Sequence, residues 1–253
     1  MKGKIFLDAG HGGTDTGLVY HERREKDNVL KIVLALATLL TEEGFEVICS
    51  RVDDSFIHEQ SKHEKMLDER VDCVIAFHQN CALLSDTAEG ARAIVWNKEG
   101  LSLFLAKKLL EGMKKIGFFI LGIFEDKYND ELKRNKIPRV VLELGYLNSE
   151  KDYFLFDQFF DQIVQELFHA ICSYWEEQKN EIMKHLYRIQ VGSYYSRDRV
   201  LEKSEELHRR GFPAYYFLEK GFYTLQVGSF EQLKTAVEME KQLRNYGYTT
   251  FIT

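Results

Sequence analysis

Three apolar runs in this chain each carry a side chain able to bind a metal or move a proton. Ile5-Phe6-Leu7-Asp8-Ala9 leads into Gly10-His11-Gly12-Gly13. The run is strand-like, and the glycines bar a simple continuation into a helix while leaving the imidazole uncrowded. Cys73-Val74-Ile75-Ala76-Phe77 leads into His78, and Val140-Val141-Leu142-Glu143-Leu144 carries one carboxylate. Three strands offering two imidazoles and a carboxylate predict one site at one edge of an α/β sheet, the edge where ligands bind in such folds.

A catalytic zinc ion needs about three nitrogen or oxygen ligands and an open position for water. His11 and His78 supply two. Glu22, Glu25 and Asp27 follow His11 as candidates for the third, with Glu25 best placed just ahead of a helical pattern. A His, Glu, His set would polarise water strongly, and Glu143, in a strand otherwise apolar, would accept its proton. Each residue also has an ordinary explanation. His11 could mark an anion-binding turn, but no P-loop lysine or GxGxxG pattern follows it. His78 could be structural, Glu143 a salt-bridge partner, and Glu25 an acid favoured by a helix start. His21, His58, His63, His169, His185 and His208 have no comparable context.

The elements that must position these groups alternate. A helix is predicted from Asp27, as N-cap, to Glu43, with Leu30, Val33, Leu34, Ala37 and Leu40 as its apolar face. A strand follows at 45–49, a helix at 59–69, then the His78 strand, a strand at 91–96, a helix at 101–115, the Glu143 strand, and one long helix over 151–178. This pattern predicts an α/β fold with a mostly parallel sheet wrapped by helices.

Polar residues 179–185 mark a linker, and 186–253 hold an internal repeat. Leu186-Tyr187-Arg188-Ile189-Gln190-Val191-Gly192-Ser193 matches Phe222-Tyr223-Thr224-Leu225-Gln226-Val227-Gly228-Ser229, 36 positions on, as Gly211 matches Gly247. Two strand–helix–strand units, 186–221 and 222–253, predict a small α+β ferredoxin-like domain with an antiparallel sheet. Its many tyrosines (Tyr187, Tyr194, Tyr195, Tyr215, Tyr216, Tyr223, Tyr246) either stack on ligands or fill sheet faces.

Composition sets limits. The chain has 253 residues, is 45% hydrophobic and 29% charged, and carries a formal net charge of −6. It can bury a normal core, and general nucleic-acid binding is not expected. The four cysteines form no C-x-x-C pair and read as structural thiols. No run of 18 apolar residues suggests a membrane span, and Met1-Lys2-Gly3-Lys4 leads straight into a strand without the apolar core of a signal peptide. Synthesis in the cytoplasm without a signal peptide is expected.

Taken together, Asp8-Ala9-Gly10-His11-Gly12-Gly13, Glu25-Lys26-Asp27, Phe77-His78-Gln79-Asn80 and Pro138-Arg139-Val140-Val141-Leu142-Glu143-Leu144-Gly145-Tyr146 resemble, in order and spacing, the zinc-dependent N-acetylmuramoyl-L-alanine amidases. The resemblance covers about residues 3–178. It implies that His11, Glu25 and His78 bind zinc, that Glu143 is the catalytic glutamate, and that peptidoglycan is cut between the lactyl group of muramic acid and L-alanine. The family usually has proline at position 9 and serine at 76; here both are alanine, and Ala76 removes a side-chain hydrogen bond that would orient the His78 strand. Where the family often has Leu-Arg ahead of the proline, Leu132-Lys133 stands, followed by Arg134; a contact needing an arginine fork would rest on Arg134.

Residues 186–253 resemble the two halves of a SPOR domain, a peptidoglycan-binding module; a small dimerisation domain is the alternative. The implied protein is a monomer of two domains, 1–178 and 186–253, acting on the wall after mother-cell lysis in a sporulating bacterium or by non-classical release. Its rivals are a non-catalytic wall-binding protein and a zinc peptidase acting on the stem peptide.

Overall fold

The computed structural model describes residues 2–82, 88–127, 137–184 and 186–253, with only the backbone over 179–184. Leu132, Lys133 and Arg134 lie outside the described residues. The chain divides into two compact units, Met1–Glu176 and Glu177–Thr253.

The first unit is built on a six-stranded sheet. Its strands are β1 (Lys4–Ala9), β4 (Glu46–Cys49), β5 (Cys73–Asn80), β6 (Ala91–Val95), β7 (Ile120–Glu125) and β8 (Arg139–Tyr146), in the order β4-β1-β5-β8-β6-β7. All neighbours run parallel except β6 and β8. The sheet is therefore mostly parallel, as expected. The edge strand β7, Ile-Leu-Gly-Ile-Phe-Glu, has no place in the sequence reading; its central glycine broke the apolar pattern. A two-stranded hairpin, β2 (Val19–Tyr20) and β3 (Arg23–Arg24), was likewise not foreseen.

Strand alternation gives the sheet two unlike faces. On one, Leu7, Ile75, Phe77 and Leu142 are fully buried in a core shared with α1 (Glu25–Glu42), α3 (Gly100–Ile116) and α5 (Phe160–Lys184). On the other, Phe6 and Val74 pack with Met66 of α2 (Glu59–Asp68). Beside them Asp8 and Lys62 form a buried ion pair at 3.1 Å. This second face is only half-buried further along, at His78, Glu143, Val141, Arg92 and Ile94.

Several boundaries differ from the sequence reading. Asp27 is not the N-cap of α1: the hairpin keeps the backbone extended through Arg24, which takes the capping position, and the helix begins at Glu25. The buried stripe of α1 is Val29, Ile32, Val33, Leu36 and Leu40, while Leu34 stays 37% exposed. Apolar residues occupy most positions from 29 to 40, so periodicity alone could not choose the stripe. The single helix expected over 151–178 is two, α4 (Glu150–Gln158) and α5, broken at Phe159 with φ −118° and ψ 26°. The α5 helix then runs on to Lys184, so most of the stretch read as a linker, 179–185, is helical.

The second unit comprises β9 (Tyr187–Tyr194), α6 (Arg197–Arg209), β10 (Ala214–Glu219), β11 (Phe222–Phe230), α7 (Leu233–Asn245) and β12 (Phe251–Ile252). Its antiparallel order β10-β11-β9-β12 is ferredoxin-like. The repeat pairs with itself: Gln190 and Gln226 sit opposite each other, as do Tyr187 and Phe230. Ile189, Leu225 and Val227 face a core completed by Val200, Leu207 and Leu243 of the helices.

All four cysteines are free; Cys73 is buried and the other three half-buried. No helix among the described residues is long and apolar enough to cross a membrane.

The packing of α1 is testable. Leu36 is fully buried, so Leu36→Ala is expected to lower stability in urea unfolding by roughly 2–5 kcal/mol. A loss under about 0.5 kcal/mol, as at a surface site, would contradict this packing.

Candidate metal centre

The adjacent parallel strands β1, β5 and β8 bring their C-terminal ends together. His11 follows β1, whereas His78 and Glu143 lie inside β5 and β8, both of which continue past them. Glu25 arrives from the first turn of α1. Its backbone N–H donates to the Leu18 carbonyl at 2.9 Å, and the packed face of α1 fixes its direction. The three candidate acids are thereby separated. Glu22 is exposed in the hairpin turn, Asp27 pairs with Arg24 at 2.7 Å, and of the three only Glu25 reaches the histidines.

The Glu25 side chain is 2% exposed. His11 Nε2 lies 3.2 Å from Oε2, and His78 Nδ1 lies 2.9 Å from Oε1. The backbone N–H groups of Leu18 and Gln79 donate to the two oxygens at 3.0 Å each. One ligand atom from each of His11, Glu25 and His78 falls within 4.8 Å of the others. The two imidazoles stand edge to face, 5.1 Å between centroids. Asp15 Oδ2 lies 2.9 Å from His11 Nδ1, the carboxylate contact that orients metal-ligating histidines and leaves the other nitrogen for the ion.

The electrostatics follow from this crowding. The hydrogen bond with Glu25 raises the His11 pKa to about 9, against desolvation and with help from Asp15. For Glu25, burial opposes ionisation, but the bonds from His11, His78, Leu18 and Gln79 outweigh it and hold the carboxyl far below its usual range. A buried anion contacting two imidazoles is a site made for a cation.

Close backbone approach shapes the cradle. A Cβ on Gly10 would stand 2.3 Å from His78 Cε1. One on Gly17, at φ +61°, would stand 2.5 Å from the His11 ring and 2.7 Å from Glu25 Oε2. His11 itself is held at φ 62°, a left-handed conformation that costs a non-glycine residue on the order of 1–3 kcal/mol. Buried Arg51 holds this turn in place. Its guanidinium donates to the carbonyls of Ala9, Gly10 and Lys26 at 3.1, 3.0 and 2.7 Å, tying the end of β1 to the start of α1. Nothing in the residue pattern marks Arg51, because its partners are all backbone oxygens.

Glu143 lies across from His78 in the β5–β8 register and across from Arg92 in the β8–β6 register. Its carboxylate accepts from Asn80 Nδ2 at 2.9 Å and from Arg92 Nε and Nη2 at 2.6 and 3.0 Å. Arg92 was missed in the sequence. Asn80 ends the Phe77-His78-Gln79-Asn80 motif, where the residue pattern assigns it no role.

An α/β sheet presenting a metal-ligand-like His–Glu–His triad beside an arginine-held carboxylate has the form of a metal-dependent hydrolase. Comparison with known proteins makes the class definite. Residues 5–173 match the family model for N-acetylmuramoyl-L-alanine amidase, and this chain belongs to that family. It is 32% identical over 172 residues to the probable cell wall amidase LytH of Staphylococcus aureus, which covers 66% of this chain and 56% of that protein. The chain thus spans little more than half the length of that curated relative. Among solved structures, the CwlD amidase from Clostridioides difficile, determined in complex with the GerS lipoprotein, superposes with a TM-score of 0.60 at 27% identity, covering 69% of this chain and 98% of that one. An N-acetylmuramoyl-L-alanine amidase from Clostridium difficile 630 does so with a TM-score of 0.63 at 26% identity, covering 68% and 96%.

The close contact at Gly10 gives a direct check. Gly10→Ala should fold, yet displace the His78 ring and weaken binding of an added divalent cation such as zinc at least about tenfold, changes beside metal ligands commonly losing 10–100-fold. Zinc titration calorimetry alongside thermal unfolding would read this; wild-type zinc affinity would contradict the contact.

Proposed function

We propose that this chain hydrolyses the amide joining the lactyl group of N-acetylmuramic acid to the first L-alanine of the peptidoglycan stem peptide. In this reading His11, Glu25 and His78 hold zinc and Glu143 handles the proton. The observation that carries it is the convergence of His11, Glu25 and His78 within a family of amidases. The donor set fits zinc: two imidazoles and one carboxylate are common ligands, and three protein ligands leave a position open for water or substrate. Zinc bound there would polarise the amide carbonyl and acidify water.

The chain's own residues supply the rest. Glu25, fixed by two backbone N–H groups, offers a preset anionic ligand. Asp15 sets the His11 ring so that Nε2 faces Glu25. Glu143 leaves the sheet on the same face as His78. Its carboxylate takes a proton from the attacking water as oxygen bonds to the carbonyl carbon. It then delivers that proton to the alanine nitrogen as the C–N bond breaks.

Residues 186–253, within the unit Glu177–Thr253, we read as a SPOR-like module that binds peptidoglycan. One row crosses all four strands: Tyr215, Gln226, Gln190 and Phe251 are successive register partners, on the face away from the buried Ile189 and Val227. Phe251 is 64% exposed and Tyr215 39%. The exposed aromatics at the two ends of this row suit sugar faces, while Gln226 between them is buried and accepts from the Tyr215 hydroxyl at 3.0 Å. Such a module raises the effective concentration of the catalytic unit at the wall. LytH is described as a probable cell wall amidase, and the wall is the site of action proposed here.

Two experiments test these assignments. Glu143→Gln should keep its zinc and fold but lose turnover of soluble muropeptides by ~10²-fold or more, the range for a positioned acid–base group. Zinc lost together with activity would make Glu143 a ligand, and full activity would remove it from the mechanism. Separately, the full chain carrying Tyr215→Ala and Phe251→Ala should pellet less with insoluble wall while cleaving soluble muropeptides at the wild-type rate. Undiminished pelleting would assign that sheet another role.

A further inference from the structure

Glu143 is not a free carboxylate. Arg92 grips it with a two-pronged fork, Nε to Oε2 at 2.6 Å and Nη2 to Oε1 at 3.0 Å. Asn80 Nδ2 adds a third bond, to Oε2 at 2.9 Å. The fork follows from the sheet. Strands β5, β8 and β6 place His78, Glu143 and Arg92 in one row, and the next residues on that face are the apolar Val141 and Ile94. The guanidinium is steadied on its far side by the Phe124 ring, 5.4 Å from the centroid. With side chains 30% and 13% exposed, Arg92 and Glu143 are largely withdrawn from solvent, so water competes weakly for the pair.

We infer that Arg92 is the positioning residue for Glu143, and that its fork selects Oε1 as the oxygen that takes and returns the proton. This rests on the reading of Glu143 as the proton-transfer group. A carboxylate has about four acceptor positions, two on each oxygen. Oε2 is filled by Arg92 and Asn80; among the described residues, Oε1 keeps one acceptor position open. A planar guanidinium with two parallel bonds fixes the plane of the carboxylate as a lysine cannot. The fork's contribution is geometric: it fixes the carboxylate plane and which oxygen is left to the reacting groups. Net stability does not account for the pair, since a half-buried ion pair adds little over apolar residues of the same size.

The test compares kcat and KM on soluble muropeptides, with zinc content and thermal unfolding, for Arg92→Gln, Arg92→Lys, Glu143→Gln and the double variant Arg92→Gln/Glu143→Gln. Arg92→Gln should lose kcat by roughly 10–100-fold, the scale of a misplaced reacting group. Its KM and zinc content should be unchanged. Arg92→Lys, keeping the charge without the fork, should fall between wild type and Arg92→Gln. The double variant should be no slower than Glu143→Gln alone, as residues acting through one group are non-additive. Wild-type or increased kcat in Arg92→Gln, or a loss confined to KM, would overturn the inference. If Arg92→Gln does not fold, Arg92→Lys decides: a folded lysine variant with wild-type kcat overturns it. Should Glu143→Gln stay active, the reading of Glu143 has failed and this inference with it. Should Glu143→Gln be inactive while Arg92→Gln is fully active, only the role of Arg92 has failed.

Discussion

The rest of the site depends on one buried carboxylate. Glu25 is almost wholly removed from solvent, a position in which an anion is strongly disfavoured unless fully hydrogen-bonded. Two backbone N–H groups and two imidazoles meet that requirement. The groups that satisfy Glu25 come from the loop after β1, which carries His11 and Leu18, and from the strand β5, which carries His78 and Gln79. Those segments must therefore converge for the carboxylate to be buried at all. A cation entering between the imidazoles would take over part of the same compensation.

The strands make the second half of the arrangement. Parallel pairing of β5 with β8 sets Glu143 level with His78, and antiparallel pairing of β8 with β6 sets Arg92 level with Glu143. A slip of one residue in either register would send the slipped side chain to the opposite face of the sheet. That face is a fully buried apolar core of Phe77, Leu142 and Ala93. Register is therefore fixed by the core, and the row of polar residues inherits its alignment from apolar packing beneath it.

This division explains what the sequence could reveal. His11, His78 and Glu143 stood out because each interrupts or ends an apolar run. The repeat in 186–253 was legible because equivalent residues recur at constant spacing and then pair with one another. Glu25 stood ahead of Glu22 and Asp27 by its place before the helical pattern and by motif order, but the physical separation comes from the hairpin β2–β3, whose strands are two residues each and carry no pattern. Arg92 and Arg51 were invisible for a related reason: an arginine in a strand or loop says nothing of its partner until the chain is folded. The break at Phe159 contains neither glycine nor proline, so no local feature announced that one helix would become two. Strand β7 was hidden by Gly122, which at φ +112° interrupts an otherwise apolar run.

The central claim is that the site made by these contacts cuts one bond, between the lactyl carbonyl of muramic acid and L-alanine. The most direct measurement is to digest purified peptidoglycan with the zinc-loaded full chain and analyse the new termini by labelling of free amines and mass spectrometry. The account predicts new amino termini on L-alanine alone, with intact lactyl-muramic acid on the glycan, and their disappearance in chelator. New reducing sugar ends, amino termini at other stem-peptide residues, or equal cleavage without metal would contradict it.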